Sequence, residues 1–445
     1  MPKMSQSLSR SLFALTLSFL TIIPFSCTKE NHTPVDDTEQ TASPDMLVNW
    51  IKNTLIFSRN ATMNEAEVSR VMAYAGIAYY EGLAAGILGS RSLQGQLTDL
   101  TDLPEPNAGI NYNWGIVATS STYKMLLHLF KDESSSIRAA IISQQNSNID
   151  EYYFYGVSES RIDVSTDYGE RLGSALVDWA KADGILEYGN CADTLAYPDN
   201  YWQRTHPREL APVEPCWGNM RPFTFTHAET DLTCLPSTTI PFSTDTASFY
   251  FDAAQELNQA QIDLTDEQLE DVVFWNDGIY SYRAAGHAIH QLVDIIEQHD
   301  LNANEAAIDF ARLGIACADV YISAWKMKYD DKPMRPITYI REHIEINFEG
   351  PVETPAHPEF PCSNALVGYA AAQIFTNSFS NITFTDNTQI ILGKEPRTYS
   401  NFMEMANENA MAQFYAGSNY LNTVEASEYQ GRCIGQLANE LVFIE

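Results

Sequence analysis

The chain has 445 residues, of which 45% are hydrophobic and 19% charged, enough apolar surface for a large core and too much for a disordered polymer. Lysine and arginine number 26 against 58 aspartates and glutamates, a formal charge of −32. An excess of that size repels phosphate backbones and anionic lipid, which excludes nucleic-acid binding through a basic face. No apolar run reaches the roughly 18 to 20 residues of a membrane-spanning helix.

The N-terminal segment carries Lys3 and Arg10 with no acid, then a largely apolar run from Leu12 to Phe25 that ends at Ser26-Cys27. A basic start, an apolar centre and a small residue at the break describe a secretory signal, so residues 1–26 are expected to be a signal peptide. A cysteine directly after the small residue resembles the bacterial lipobox, which makes Cys27 the expected lipidation site and membrane anchor of an exported, outer-membrane lipoprotein facing the periplasm or the surface. Residues 27–45 are polar and acidic without an aromatic, a composition that suits a flexible tether. Export permits disulfides among Cys191, Cys216, Cys234, Cys317, Cys362 and Cys433. A bridge within the loop-rich group Cys191, Cys216 and Cys234 is the first expectation, and the lack of any CxxC pair argues against structural zinc.

From residue 46 onward most of the chain reads as helix. Glu65 to Leu83 sets Val68, Val71, Met72, Ala75, Ile77, Ala78 and Tyr79 on a wide apolar face,. Similar patterns cover Trp114–Phe130, Asp167–Ala182, Ala247–Ile262, Ala285–Ile296, Ala303–Tyr329, Ala365–Phe375, Phe402–Tyr415 and Ala426–Val442. Strand signals are short, at Asn381–Phe384 and Gln389–Leu392. Residues 189–243 break the helical pattern. They hold Pro198, Pro207, Pro212, Pro215, Pro222, Pro236 and Pro241 among Tyr197, Tyr201, Trp202, Trp217, Phe223 and Phe225, and proline at that density forbids continuous helix. The segment reads as an irregular insertion, either an ordered cover over the core or a binding loop with an aromatic platform. The fold class is therefore all-α, a single helical domain over 46–445 with its motifs in 246–445.

Three segments carry chemistry. At Lys328-Tyr329-Asp330-Asp331-Lys332-Pro333-Met334-Arg335-Pro336, a helix-end lysine and a loop arginine converge as an oxyanion site requires, or form an ion-pair cluster with Asp330 and Asp331. At His357-Pro358-Glu359-Phe360-Pro361-Cys362-Ser363-Asn364, a loop of small residues feeds a helix N-terminus, which offers free N–H groups to an anion; its plainer reading is an N-cap by Ser363 or Asn364. Met411 to Tyr420 marks a helix that stops at Gly417. His287, His290 and Asp294 share a helical face, a weak metal pattern and more simply a set of core histidines.

In this order and spacing the segments resemble the vanadium-dependent haloperoxidases and type 2 phosphatidic acid phosphatases, whose pattern is Lys, six residues, Arg-Pro; then Pro-Ser-Gly-His; then Ser-Arg, five residues, His. Lys328 and Arg335-Pro336 fit the first motif. Further similar points are Ser69-Arg70 with Tyr80-Glu81, Trp217-Gly218 with Arg221-Pro222-Phe223, Phe274-Trp275-Asn276-Asp277 with Gly286-His287, and Gly431-Arg432. The resemblance implies the helical fold shared by those enzymes, with vanadate or phosphate held by the motif residues. The departures are specific. Cys362, Ser363 and Asn364 stand for Ser-Gly-His; Ala412 and Gln413 stand for Ser-Arg; Asn419 stands for the last His and Thr423 for its acidic partner. An amide is a poor nucleophile and a weak ligand at Asn419, and at Asn364 it does not titrate near neutrality. The expectation is a pseudoenzyme with no catalytic residue, no vanadate and no metal. It keeps a weakened pocket of Lys328, Arg335, Ser363, Asn364, Gln413 and Asn419 for a small polar or anionic ligand. An active phosphohydrolase or haloperoxidase using replacement groups, His357 or Cys362, and a glycan- or protein-binding lipoprotein using the aromatic loop, are the alternatives.

Overall fold

The computed structural model describes residues 43–189, 191, 197–205, 211–226, 234 and 239–445. The expected signal peptide, Cys27, nearly all of the tether, and Pro207 and Pro236 of the insertion lie outside these residues.

The first half builds α1 (Pro44–Asn60), α2 (Glu65–Ala84), α3 (Trp114–Leu129), α4 (Ser135–Phe154), α5 (Glu159–Lys181) and a single turn α6 (Ile185–Tyr188). The second half builds α7 (Phe249–Ile262), α8 (Asp266–Phe274), α9 (Arg283–Gln298), α10 (Ala303–Asp331), α11 (Pro336–His343), α12 (Ser363–Phe379), α13 (Phe402–Tyr415) and α14 (Leu421–Asn439). Local chemistry starts many of them. Asn64 with Glu67, Thr265 with Gln268 and Asn302 with Glu305 form capping boxes for α2, α8 and α10, each satisfying two otherwise orphaned N–H groups. Pro336 opens α11, where its missing N–H is harmless,.

The domain is the all-α architecture the periodicity indicates. Helix α10 is its spine, packing on α2 on one side and on α12 and α14 on the other. The α2–α10 crossing is close because both helices present glycine there. A Cβ at Gly76 would lie 2.9 Å from Ala311 Cα, and one at Gly314 would lie 2.8 Å from Met72 O, so no other residue fits without separating the helices.

Several helices differ from the periodicity reading. Helix α4 escapes it because its buried stripe is Ile137, Ile141, Gln145, Asn148 and Tyr152, spaced for a helix but partly polar. Helices α1, α8 and α11 are also unanticipated, α5 starts earlier than expected, and α14 begins at Leu421 rather than Ala426. The strands are a correction too. Phe384–Asp386 pairs antiparallel with Arg397–Tyr399, whereas 388–392 is a 3-10 turn. The Asp386 carboxylate accepts a hydrogen bond from the Thr388 N–H at 2.8 Å, which ends the strand and starts that turn.

The described part of the insertion is pinned to the core. Asp319 on α10 accepts from the N–H groups of Phe223 and Thr224 and from the Thr224 hydroxyl. Gly218 approaches α10 so closely that a Cβ would sit 2.4 Å from Lys326 Cα. Trp202, Trp217, Phe223 and Phe225 are all buried; their rings are core filling, and they form no exposed aromatic platform. Disulfides join Cys191 to Cys216, within the expected group, and Cys234 to Cys433 on α14, a pairing outside it. Cys317 and Cys362 are free and buried.

Candidate functional site

Helix α10 ends by delivering Lys328 into the interior, and the left-handed Lys332 (φ 51°) turns the chain so that Arg335 enters beside it. Both side chains are essentially inaccessible, at 0% and 1% exposure. An ammonium group has three donors, and Lys328 spends them on the carbonyls of Pro358 (2.9 Å), Glu359 (3.1 Å) and Pro361. Arg335 donates to the carbonyls of His357 (2.9 Å) and Ser418 (2.8 Å), to His357 Nδ1 (3.0 Å) and, more weakly, to Asn419 Oδ1 at 3.5 Å. Burial and the neighbouring Arg335 charge pull the Lys328 ammonium well below its ordinary range.

The counter-charge is internal. The Glu359 carboxylate accepts from Asn419 Nδ2 at 2.9 Å, from the Tyr420 N–H at 3.1 Å and from Thr423 Oγ1 at 3.0 Å. It therefore sits at the N-terminus of α14, where unpaired N–H groups and the helix dipole favour an anion. Burial raises its pKa while Arg335 and the Asn419 bond lower it. Asn419 consequently bridges a buried cation and a buried carboxylate. Positions 419 and 423, where this chain departs from the haloperoxidase pattern, both serve Glu359.

A cleft of about 730 Å³ opens next to this network. Of the six expected pocket residues, Asn364 and Gln413 reach its wall, with Asn364 Nδ2 3.4 Å from Gln413 Oε1; Lys328, Arg335, Ser363 and Asn419 lie behind it. Its charged lining is Glu65, Asp277, Glu353 and Arg283, so the expected cationic lining is replaced by an acidic one. The cause is that the cations point into backbone carbonyls. Neither Ser363 nor Asn364 is the N-cap of α12: Cys362 takes that place and makes no side-chain cap bond. Burial raises the pKa of the Cys362 thiol. His357 also borders the cleft. His357 Nδ1 lies 3.0 Å from Arg335 Nη2 and 3.1 Å from the Pro358 carbonyl, and Nε2 lies 3.5 Å from Glu65 Oε1. Burial, Lys328 and Arg335 hold the pKa of this imidazole well below its ordinary value.

A second buried cluster borders the cleft through Asp277. His287 on α9 lies between two carboxylates, with Nδ1 3.0 Å from Asp277 Oδ1 and Nε2 2.8 Å from Asp386 Oδ2. Its ring stacks on Trp275 at 4.7 Å. Burial opposes its charge, but the two carboxylates outweigh burial and raise its pKa to about 10. Asp386 is brought down to about 2, chiefly by His287 working against its own burial. His290, by contrast, stacks on Tyr282 and stands 3.4 Å from Asp294. Among the described residues no group of three or more His, Cys, Asp and Glu is placed to hold a metal ion. The contacts of Glu359 with Asn419, Tyr420 and Thr423 and that of His287 with Asp386 join residues about 60 to 100 positions apart, and no local spacing announces such contacts.

Residues 343–443 match the family model described as the VCPO second helical-bundle domain. The chain is similar to a bacterial vanadium-dependent iodoperoxidase at 24% identity and TM-score 0.82, covering 91% of this chain and 98% of that one. It is also similar to a bacterial vanadium-dependent chloroperoxidase, at 15% identity, in two forms. The apo form gives TM-score 0.63 over 85% of this chain and 92% of that one, and the holo form 0.60 over 92% and 96%. No curated protein matches. The chain thus has the helical fold of the bacterial vanadium-dependent haloperoxidases over most of its length, and its C-terminal part matches their second helical-bundle domain.

Proposed function

We propose that this chain is an exported, lipid-anchored member of the vanadium haloperoxidase superfamily whose ancestral chemistry is lost. The observation that carries this reading is Asn419. It stands where the resemblance requires an imidazole, and its amide is committed between Arg335 and Glu359. The residues present do not suit vanadate. An oxyanion would have to take Lys328 from three carbonyls and Arg335 from His357 and Ser418, beside a carboxylate of its own charge sign. Neither of the candidate replacement groups, His357 and Cys362, is poised for turnover. Burial and the neighbouring Lys328 and Arg335 charges disfavour a charged, acid-competent His357, and the Cys362 thiol is buried and discouraged from ionising, whereas a nucleophilic cysteine needs the opposite environment. Purified protein is expected to neither hydrolyse a generic phosphomonoester nor oxidise halide with vanadate and peroxide. Turnover that Lys328→Ala abolishes would overturn the reading.

A binding role for the cleft is supported by the amides it keeps. Asn364 and Gln413 offer donors and acceptors to a small uncharged polar ligand in a volume that small-molecule sites commonly have. A shift in melting temperature on screening such compounds, lost in Asn364→Leu, tests this role.

A further inference from the structure

We infer that the end of the domain where the chain emerges from residue 43 is a membrane-resting face, with Tyr153, Phe154 and Tyr155 seated in the interfacial layer of a bilayer. The inference rests on the lipid-anchor reading of Cys27 and adds the surface by which the anchored domain lies on the lipid.

The start of α1 is located by its packing. Met46 forms a small cluster with Ile116 near the start of α3, Tyr152 at the end of α4, and Val157 and Ile162 beside the start of α5. Four helix ends therefore meet where the chain enters the domain. That end also carries an unusual set of exposed apolar side chains. Phe154 is 85% exposed and Tyr155 60%, with Tyr153 beside them. Leu88, at 99% exposure, follows α2 on the loop whose Gly86 abuts Trp114, the first residue of α3. Single exposed apolar residues are ordinary, but three consecutive exposed aromatics on one helix end are a patch.

Position selects the occupant. Fifteen residues lie between Cys27 and Ser43, at most about 55 Å of extended chain, so an acylated Cys27 keeps this end of the domain within that distance of the bilayer. Tyrosine suits the boundary where a ring is buried and a hydroxyl stays wet, and phenylalanine adds an apolar ring to sink below it. The surrounding charges refine the lipid. Asp45, Asp150 and Glu159 are exposed at the same end and repel anionic headgroups, so the face fits a zwitterionic surface such as phosphatidylethanolamine.

The test uses the full-length lipidated protein in phosphatidylethanolamine–phosphatidylcholine vesicles, with a photo-crosslinking phenylalanine analogue placed at position 154 or at position 249. Phe249 is a matched control, 83% exposed on α7, which packs against α11, α13 and α14. Lipid crosslinking about tenfold stronger from position 154 is expected for a ring at the interface. It should fall in vesicles made largely of anionic lipid and on Tyr155→Asp. Equal crosslinking from both positions, or none from 154, overturns the inference. Mass spectrometry of the N-terminal peptide keeps the two readings apart. An unacylated Cys27 overturns the anchor and this face with it, whereas an acylated Cys27 without crosslinks at 154 overturns the face alone.

Discussion

Two buried charge clusters border one cleft, and they handle their charge differently. In the Asp277–His287–Asp386 cluster an imidazolium is held between two carboxylates, both ring nitrogens are occupied, and Gln291 and Gln389 donate to the same carboxylate oxygens that face the imidazole, Asp386 Oδ2 and Asp277 Oδ1. In the Lys328–Arg335 cluster the cations sit at positions the resemblance assigns to oxyanion binding, yet they face backbone carbonyls, with Glu359 held by two side chains and a helix N-terminus. The first is a structural strut built from residues that look catalytic. The second has the charges of a site, but nearly all of their donors are already spent on the protein itself. Buried charge and displaced pKa values mark functional sites only when some donor or lone pair remains for a substrate.

The largest effect is expected in the first cluster. His287→Leu leaves two buried carboxylates facing each other without a cation, and urea denaturation should show a loss of about 3–5 kcal/mol. The same residue sets a pH dependence. Its folded pKa, raised to about 10 from an ordinary 6.5, means that its stabilisation is complete below pH 6.5 and declines as the pH climbs towards 10. Melting temperatures across that window should fall more steeply for the natural protein than for His287→Gln; parallel profiles would show that the imidazolium is not the cause.

Arg335→Leu sharpens the contrast. If the arginine is structural here, removing it strands Glu359 and two carbonyls and costs about 3 kcal/mol. A stability close to the natural protein, with loss of anion binding instead, would mean that the second cluster is still a binding site. Asn419→Ala removes one bridge to Glu359 and should cost about 1–2 kcal/mol, read from the same denaturation curves.

Much of the fold was legible in the sequence, because amphipathic stripes such as those of α5 and α14 report directly which face is buried. Helix α4 was not, since Gln145 and Asn148 occupy its buried stripe and hydrogen-bond to Ser120 and Thr119 on α3. Of the site, the motif positions were readable from spacing, and Asn364 and Gln413 do meet at the cleft. Glu359 was visible only as one residue between two prolines. Its importance arises from Asn419, Tyr420 and Thr423, which reach it from 60 or more positions away, and from a helix N-terminus that spacing alone does not aim. The inward turn of Lys328 likewise depends on where three loop carbonyls fall. Motif reading supplies the residue types, while the direction in which their donors point is a tertiary property.

The most direct measurement is vanadate binding, followed by calorimetry, for the natural protein and for the double variant Asn364→His, Asn419→His. The account predicts no detectable binding to the natural chain, because its cations are already satisfied and it lacks the imidazole ligand. Saturable binding of vanadate to the unaltered protein, lost on Lys328→Ala, would contradict it.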